Sequence, residues 1–328
     1  VDSIDVVIPL YNCTSYIEYA IYSVQRQVMA VDKIIVVNDG STDDGPLKVT
    51  KLAQKDKRII LLNGTNQGAS AARNKGITAS EAEFIAFLDA DDMWDPQKIN
   101  KQAPFLSNSK LSFVHTQASA IDIYGKPILT TLYKTNIYAP SFDNIRLGIY
   151  SVIGSASSVV TRRKLLLDAG LFDQDQHFGG EDWDMWARLA QYGPAHLVDE
   201  PLTKIRLVPN SHQRTMSAEV RARSRLHSRI MVASHWQDDA IFLKKHRIEA
   251  RKEAWAIMRW LLLKPKELCG FYLYLHHHEK IAGRTIVKGA FDFIALLCTG
   301  LFQTICSIIR SPSECKRLLH RLIDEHRK

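Results

Sequence analysis

Short apolar runs alternate with stretches of helical periodicity through the first quarter of the chain. Residues 5–10 (DVVIPL) read as a buried strand with its exit at Pro9, and Ile17, Ile21 and Val24 then recur on one helical face. Lys33 to Val37 (KIIVV) is a second strand that stops at Asn38-Asp39-Gly40, where Ser41, Thr42 and Asp43 are placed to cap the next helix. Ile59 to Leu62 is a third strand, a Gly/Ala-rich helix is expected over about 69–79, and Phe84 to Leu88 (FIAFL) is a fourth strand. Continuous apolar strands alternating with helices predict an α/β fold whose mostly parallel sheet is covered by helices on both faces. Ligands of such sheets bind beyond the carboxyl ends of the strands. Tyr11, Asn12, Asp39, Asn66, Asp89 and Asp91 all fall at those ends, which reads as a nucleotide pocket.

After about Ser107 the strands become less regular. A helix is expected from about Asp182 to Gln191, closed by Gly193, with Trp183, Trp186, Ala187 and Ala190 at i, i+3, i+4 and i+7 as its core face. Residues 196–208 (HLVDEPLTKIRLV) return as extended chain, and beyond about Met216 the pattern is helical. The expected organisation is therefore an α/β domain over 1–215 and a helical extension over 216–328.

Composition adds a division of charge. Residues 1–215 carry 22 Lys and Arg against 24 Asp and Glu, whereas residues 216–328 carry 21 against 11, so the net +8 belongs to the C-terminal third. A basic region of this kind faces nucleic acid or an anionic lipid surface. The run Gly289–Ile309, with Asp292 as its one charge, favours lipid over nucleic acid. As a helix it would reach about 31 Å, enough to span. Yet Lys280, Arg284 and Lys288 precede it while Arg310, Lys316 and Arg317 follow, so neither side is favoured and an in-plane helix on the membrane surface fits better. Burial in the core or in a dimer interface is the alternative. His276, His277 and His278 are consecutive and point in different directions on a helix, so they read as an exposed cluster. Five scattered cysteines without a CxxC pair suit a reducing cytosol. The N-terminus enters a strand pattern at once, so no signal peptide is expected and a membrane would be met at the cytoplasmic, inner face.

Four clusters carry candidate chemistry. Asp89-Ala90-Asp91-Asp92 follows a strand directly, and carboxylates one residue apart can face one cleft and hold a hard divalent cation together with phosphate oxygens. Solvated acids capping the next helix are the plainer reading. Asp39 in Asn38-Asp39-Gly40-Ser41 can accept from a pyrimidine ring N–H, or simply form an Asp-Gly turn. Asn66-Gln67-Gly68 with Arg73 places a glycine loop and a helix N-terminus where a nucleoside or its phosphates could rest. GxGxxG and GxxxxGK[ST] are both missing. His177-Phe178-Gly179-Gly180-Glu181-Asp182-Trp183 presents two acids at a helix mouth, either as a general base on a sugar hydroxyl or as acids complementing the helix dipole. More weakly, Arg206 with Asn210, Ser211, His212, Gln213 and Arg214 could close over a departing diphosphate.

Taken together, DVVIPLYNCTSYIEYAIYSVQRQ, IIVVNDGSTDDG, NQGASAARNKGI, FIAFLDADDMWDPQKI and HFGGEDWDMWARLAQYG resemble, in order and spacing over roughly residues 3–215, the inverting glycosyltransferase family 2. The resemblance implies a GT-A fold, Rossmann-like, and a metal-dependent enzyme that moves a sugar from a nucleotide-sugar donor to an acceptor hydroxyl. It implies that Pro9, Tyr11 and Asp39 line a uracil pocket with Asn66 and Arg73 nearby. Asp89 would stand beside the ribose, Asp91 would hold Mn²⁺ or Mg²⁺, and Asp182 would be the base with Glu181 toward the acceptor. His212 and Arg214 would lie near the diphosphate and metal. UDP is the expected nucleotide, with dTDP as the other family donor. The expected acceptor is a saccharide or lipid-linked saccharide in bacterial surface polysaccharide or glycolipid assembly. A sugar nucleotidyltransferase shares the fold class, but its first loop is Gly-rich and basic where this one reads PLYNCTSY. A non-catalytic nucleotide-binding protein would have no need of the Asp89/Asp91 and Glu181/Asp182 pairs together.

Overall fold

The computed structural model describes residues 3–131, 145, 155–174, 179–208 and 218–261. Four parallel strands, β1 (Ile4–Leu10), β2 (Lys33–Asn38), β3 (Ile59–Asn63) and β4 (Phe84–Phe87), stand in the order β3-β2-β1-β4. They are linked through α1 (Ile17–Gln25), α2 (Gly45–Lys55) and α3 (Ala69–Ala79). The chain continues through β5 (Met93–Trp94), α4 (Lys98–Leu106), β6 (Phe113–Ile121) and β7 (Pro127–Leu129). A 3₁₀ turn at Ala156–Ser158 leads into β8 (Val160–Arg162) and α5 (Arg163–Asp168). Then come α6 (Glu181–Leu189), β9 (Ala195–Arg206), α7 (Ala218–Ser234) and α8 (Ala240–Leu261). These strands extend the sheet as β4-β8-β6-β9-β5, with β7 on β6. β8 is antiparallel to β4 and β6, β6 and β9 are parallel, and β5 is antiparallel to β9.

Side chains alternate across a strand, so strands buried on both faces read as unbroken apolar runs. Val6 and Ile8 of β1 join Phe84, Ala86 and Leu88 in one core with Ile17, Ile21, Trp94 and Ile99. Val7 of β1 joins Ile85 and Phe87 in the other, with Ile77, Phe172, Met185 and Trp186. α3 lies close on β1: a Cβ added at Gly76 would stand 2.4 Å from Cγ1 of Val7.

The expected strands and the helix over 69–79 are found as read. The cap of α2 differs: its N-cap is Asp44, without a side-chain capping bond, while Asp43 accepts from the Gly45 and Thr14 amides and so ties this turn to the β1 exit. In α6 the core face is wider than expected, because Asp184, Met185, Arg188 and Leu189 are buried with Trp186 and Ala187, and Trp183 is only half-buried. The chain divides into two compact units, 1–242 and 243–328. α7 lies in the first, where Val232 joins the core around Trp186. Among the described residues no helix is long and apolar enough to cross a membrane. Gly289–Ile309 and His276–His278 lie outside the described residues.

Candidate active site

At the end of β2, Asp39 is buried, and its two carboxylate oxygens accept from the Gln67 and Gly68 amides, each at 2.7 Å. The carboxylate thus holds the loop that opens α3. Asn12 and Asn66 both adopt left-handed φ, 46° and 48°, a region asparagine tolerates. Asn12 accepts from the Thr42 amide, while the Asn66 amide reaches the exposed Tyr11 hydroxyl at 3.4 Å, a long contact. Gly40 (φ 75°) lets the two loops meet, since a Cβ there would stand 2.9 Å from the Asn66 nitrogen. Pro9, Tyr11, Asp39 and Asn66 therefore rim one end of the parallel strands.

Arg73, one turn into α3, is 4% exposed. Its guanidinium donates to Asp89 Oδ1 at 2.8 Å and to Glu181 Oε1 at 2.9 Å, and stacks 5.4 Å from the Phe172 ring centre. Burial works against its charge, but Asp89 and Glu181 outweigh burial and raise its pKa above the ordinary arginine value. Asp89 is therefore paired with a buried cation rather than being a solvated acid capping the next helix. Arg73 joins the acid after β4 to the mouth of α6, a sequence separation of 108 residues on the Glu181 side. Its guanidinium lies between two carboxylates.

The three acids after β4 have separate surroundings. Asp92 is buried, accepting from the Ser157 hydroxyl at 2.7 Å and the Arg206 amide at 3.0 Å, and burial pushes its pKa well up. The Ser157 hydroxyl also accepts from the Asp89 amide at 3.0 Å. Among the described residues the Asp91 carboxylate is engaged by no other side chain; burial, then the neighbouring Asp89, lift it to about 6. Carboxylate oxygen is the donor type that hard cations take, but among the described residues no three His, Cys, Asp or Glu side chains form a group that could hold one.

At the mouth of α6, Asp182 accepts from the Trp183 amide at 2.7 Å. Burial, then Glu181, lift its pKa to about 6, against the opposing pull of Arg73, and Asp89 contributes to the rise. His212 and Arg214 lie outside the described residues. Ser157 bears on the site without having been given a place in it, and Arg206 lies elsewhere than in the polar loop it was expected to share. Ser157 carried no signal, lying in an irregular serine-rich stretch. Arg206 was grouped with the polar loop after β9, but it is buried and turned inward. It donates to the carbonyls of Asp91, Asp122 and Ile123 and stacks 4.8 Å from the Tyr16 ring centre. Its position at the end of a strand was the only hint available.

The profile described as Glycosyl transferase family 2 matches residues 5–166. A Rickettsia conorii protein named as an uncharacterised glycosyltransferase is 32% identical over 207 residues, covering 62% of this chain and 33% of that protein. The chain thus spans about a third of the length of that relative. An uncharacterised glycosyltransferase of Haemophilus influenzae is 30% identical over 177 residues, 53% of this chain and 69% of that protein. TuaG of Bacillus subtilis, a putative teichuronic acid biosynthesis glycosyltransferase, is 29% identical over 213 residues, 63% of this chain and 80% of that protein. Staphylococcus aureus TarS 1–349, solved in complex with UDP-GlcNAc, superposes with a TM-score of 0.66 at 17% identity over 90% of this chain and 89% of that one, a likeness that establishes the fold. With strands, acids and relatives in agreement, the chain belongs to glycosyl transferase family 2, a family of transferase enzymes, and has the GT-A fold.

Proposed function

We propose that the protein transfers a sugar, with inversion, from a UDP-sugar to an acceptor hydroxyl during assembly of a bacterial surface polysaccharide or glycolipid. The observation that carries this reading is Arg73, which holds Asp89 and Glu181 on one guanidinium and so sets the acid-bearing strand end beside the mouth of α6. Pro9, Tyr11, Asp39 and Asn66 form the uracil end. Asp39, though engaged by two amides, keeps lone pairs for a ring N–H. Asp89 faces the ribose, with His212 and Arg214 reserved for the diphosphate.

Asp182 is the base: its half-buried carboxylate, lifted to about 6, is ionised at neutral pH and basic enough to take the acceptor proton. Glu181, fixed by Arg73, orients the acceptor beside it. Asp91 would hold Mn²⁺ or Mg²⁺, and when bound the ion neutralises charge on the leaving nucleoside diphosphate. The UDP-GlcNAc of TarS supports UDP, and the teichuronic acid role of TuaG supports a saccharide or lipid-linked saccharide acceptor. The basic C-terminal third supports peripheral attachment to the anionic inner face of the cell membrane, with residues 1–215 as the catalytic domain and 216–328 as the attaching extension.

The test is a donor screen. The purified full chain is incubated with UDP-, dTDP- and GDP-sugars, with Mn²⁺ and with the metal chelated, and nucleotide release is measured. Release from a UDP-sugar that stops on chelation is expected. Release from none of the donors would sink the transferase reading, and release indifferent to chelation would remove the metal from it.

A further inference from the structure

Resting on that reading, we propose that His235 and Ser228 are positioning residues for Asp182, holding the first turn of α6 in place from outside the helix. The need for such a hold is local. The residues leading into α6, Gly179 and Gly180, both lie in the left-handed region, at φ 87° and 91°, and Gly180 as N-cap offers no side chain. The Asp182 carboxylate accepts from the adjacent Trp183 amide, a bond inside its own turn that cannot locate the turn relative to the sheet.

Several contacts locate it, the Trp183 indole N–H donating to the Ile145 carbonyl at 2.7 Å among them. On one side Glu181 is held by Arg73 of α3. On the other side the contacts come from α7 and the turn that ends it. The Ser228 hydroxyl, 2% exposed, donates to the Gly179 carbonyl at 2.8 Å. The Arg229 guanidinium lies 5.5 Å from the Trp183 ring centre. His235 Nε2 stands 2.8 Å from Oδ1 of the fully buried Asp184.

The two oxygens of Asp184 divide the work. Oδ2 accepts from Nε and Nη2 of Arg188, four residues along the same helix, at 2.9 and 2.6 Å. That pair is itself tied outward, since Arg188 Nη1 donates to the Ala169 carbonyl just after α5. Oδ1 meets a residue from a different element, so the imidazole fastens the buried carboxylate directly to the turn that ends α7. Asp182 thus sits between a hold on its preceding residue and a hold two residues on. A base displaced by about 1 Å loses about a hundredfold in rate, while a donor site built on other elements is left intact.

The experiment uses the full chain with Mn²⁺ and the donor sugar found active in the screen. His235→Ala, His235→Gln and Ser228→Ala are compared with wild type in kcat and donor KM. The Gln variant keeps an amide N–H to offer Asp184. In His235→Ala, kcat is expected to fall at least about tenfold with donor KM within about twofold. His235→Gln should recover most of that loss, and Ser228→Ala should lower kcat less. With kcat taken per UDP-binding site counted by calorimetric titration, a scaffold role alone would lower the number of sites and leave kcat per site at the wild-type value, which overturns the proposal. So does wild-type kcat in His235→Ala. A wild-type chain that turns over no donor overturns the transferase reading and this inference together; an active one with an unaffected alanine variant overturns the inference alone.

Discussion

In the parallel half of the sheet, polar residues at the strand ends are held mainly by backbone amides of the neighbouring βα unit. Asp39 takes the amides of Gln67 and Gly68, Asn12 takes that of Thr42, and Asp43 takes that of Thr14, across 28 to 30 residues of chain. In the mixed half the corresponding contacts run between side chains far apart in sequence: Arg73 to Glu181, and His235 to Asp184. Backbone amides are placed by the strands and loops themselves, so these strand ends are built wherever the sheet forms. Side-chain pairs need two separately folded elements to meet, and each then depends on a charge being matched after burial. The parallel strand ends are therefore the more local construction and the mouth of α6 the more contingent one.

The largest effect that would test this division is on turnover. Asp182→Asn is expected to lower kcat by about 10²- to 10⁴-fold with UDP affinity unchanged, since the base is lost and the donor end is untouched. In wild type, with Asp182 lifted to about 6, kcat should fall about tenfold per pH unit below that value as the carboxylate takes up its proton. Rate profiles and calorimetric UDP titration together check both. An acid limb that survives unchanged in the Asn variant would assign it to another group.

Next in size is the joint between the halves. Arg73→Gln leaves the carboxylates of Asp89 and Glu181 without their cation, at a cost of about 3–5 kcal/mol in urea unfolding. Arg73→Lys should return part of it, because one ammonium cannot reproduce the fork that reaches both acids. An unfolding midpoint unmoved by the Gln change would mean that the two halves are not joined through this residue. The smallest expected effect lies inside the parallel half. Gly76→Ala drives a methyl into Val7 and should destabilise by about 1–3 kcal/mol, again by urea, while UDP affinity of the folded fraction stays constant.

Much of the parallel half was legible before any coordinates. Its strands are buried on both faces and so announce themselves as unbroken apolar runs, and α3 was bounded at 69–79 by small residues that let it lie against β1. α6 was found as a helix, but its buried face was read too narrowly. Asp184 and Arg188 look like surface charges in any hydrophobicity pattern, and their mutual pairing, with His235 and the Ala169 carbonyl added, makes burial tolerable. Ser157 went unassigned, and Arg206 was placed in a polar loop over a diphosphate, for a related reason. A hydroxyl bridging the Asp89 amide and Asp92, or a guanidinium turned onto three carbonyls, has no periodicity to betray it.

From its residues alone this chain could be read as an α/β sheet with acids at the carboxyl ends of its strands, because strand burial and turn chemistry are short-range properties of the chain. Which acid is paired, which is left open and which is lifted toward neutrality was decided only in three dimensions. Those outcomes depend on distance and burial between residues as far apart as 73 and 181, and no local pattern encodes either.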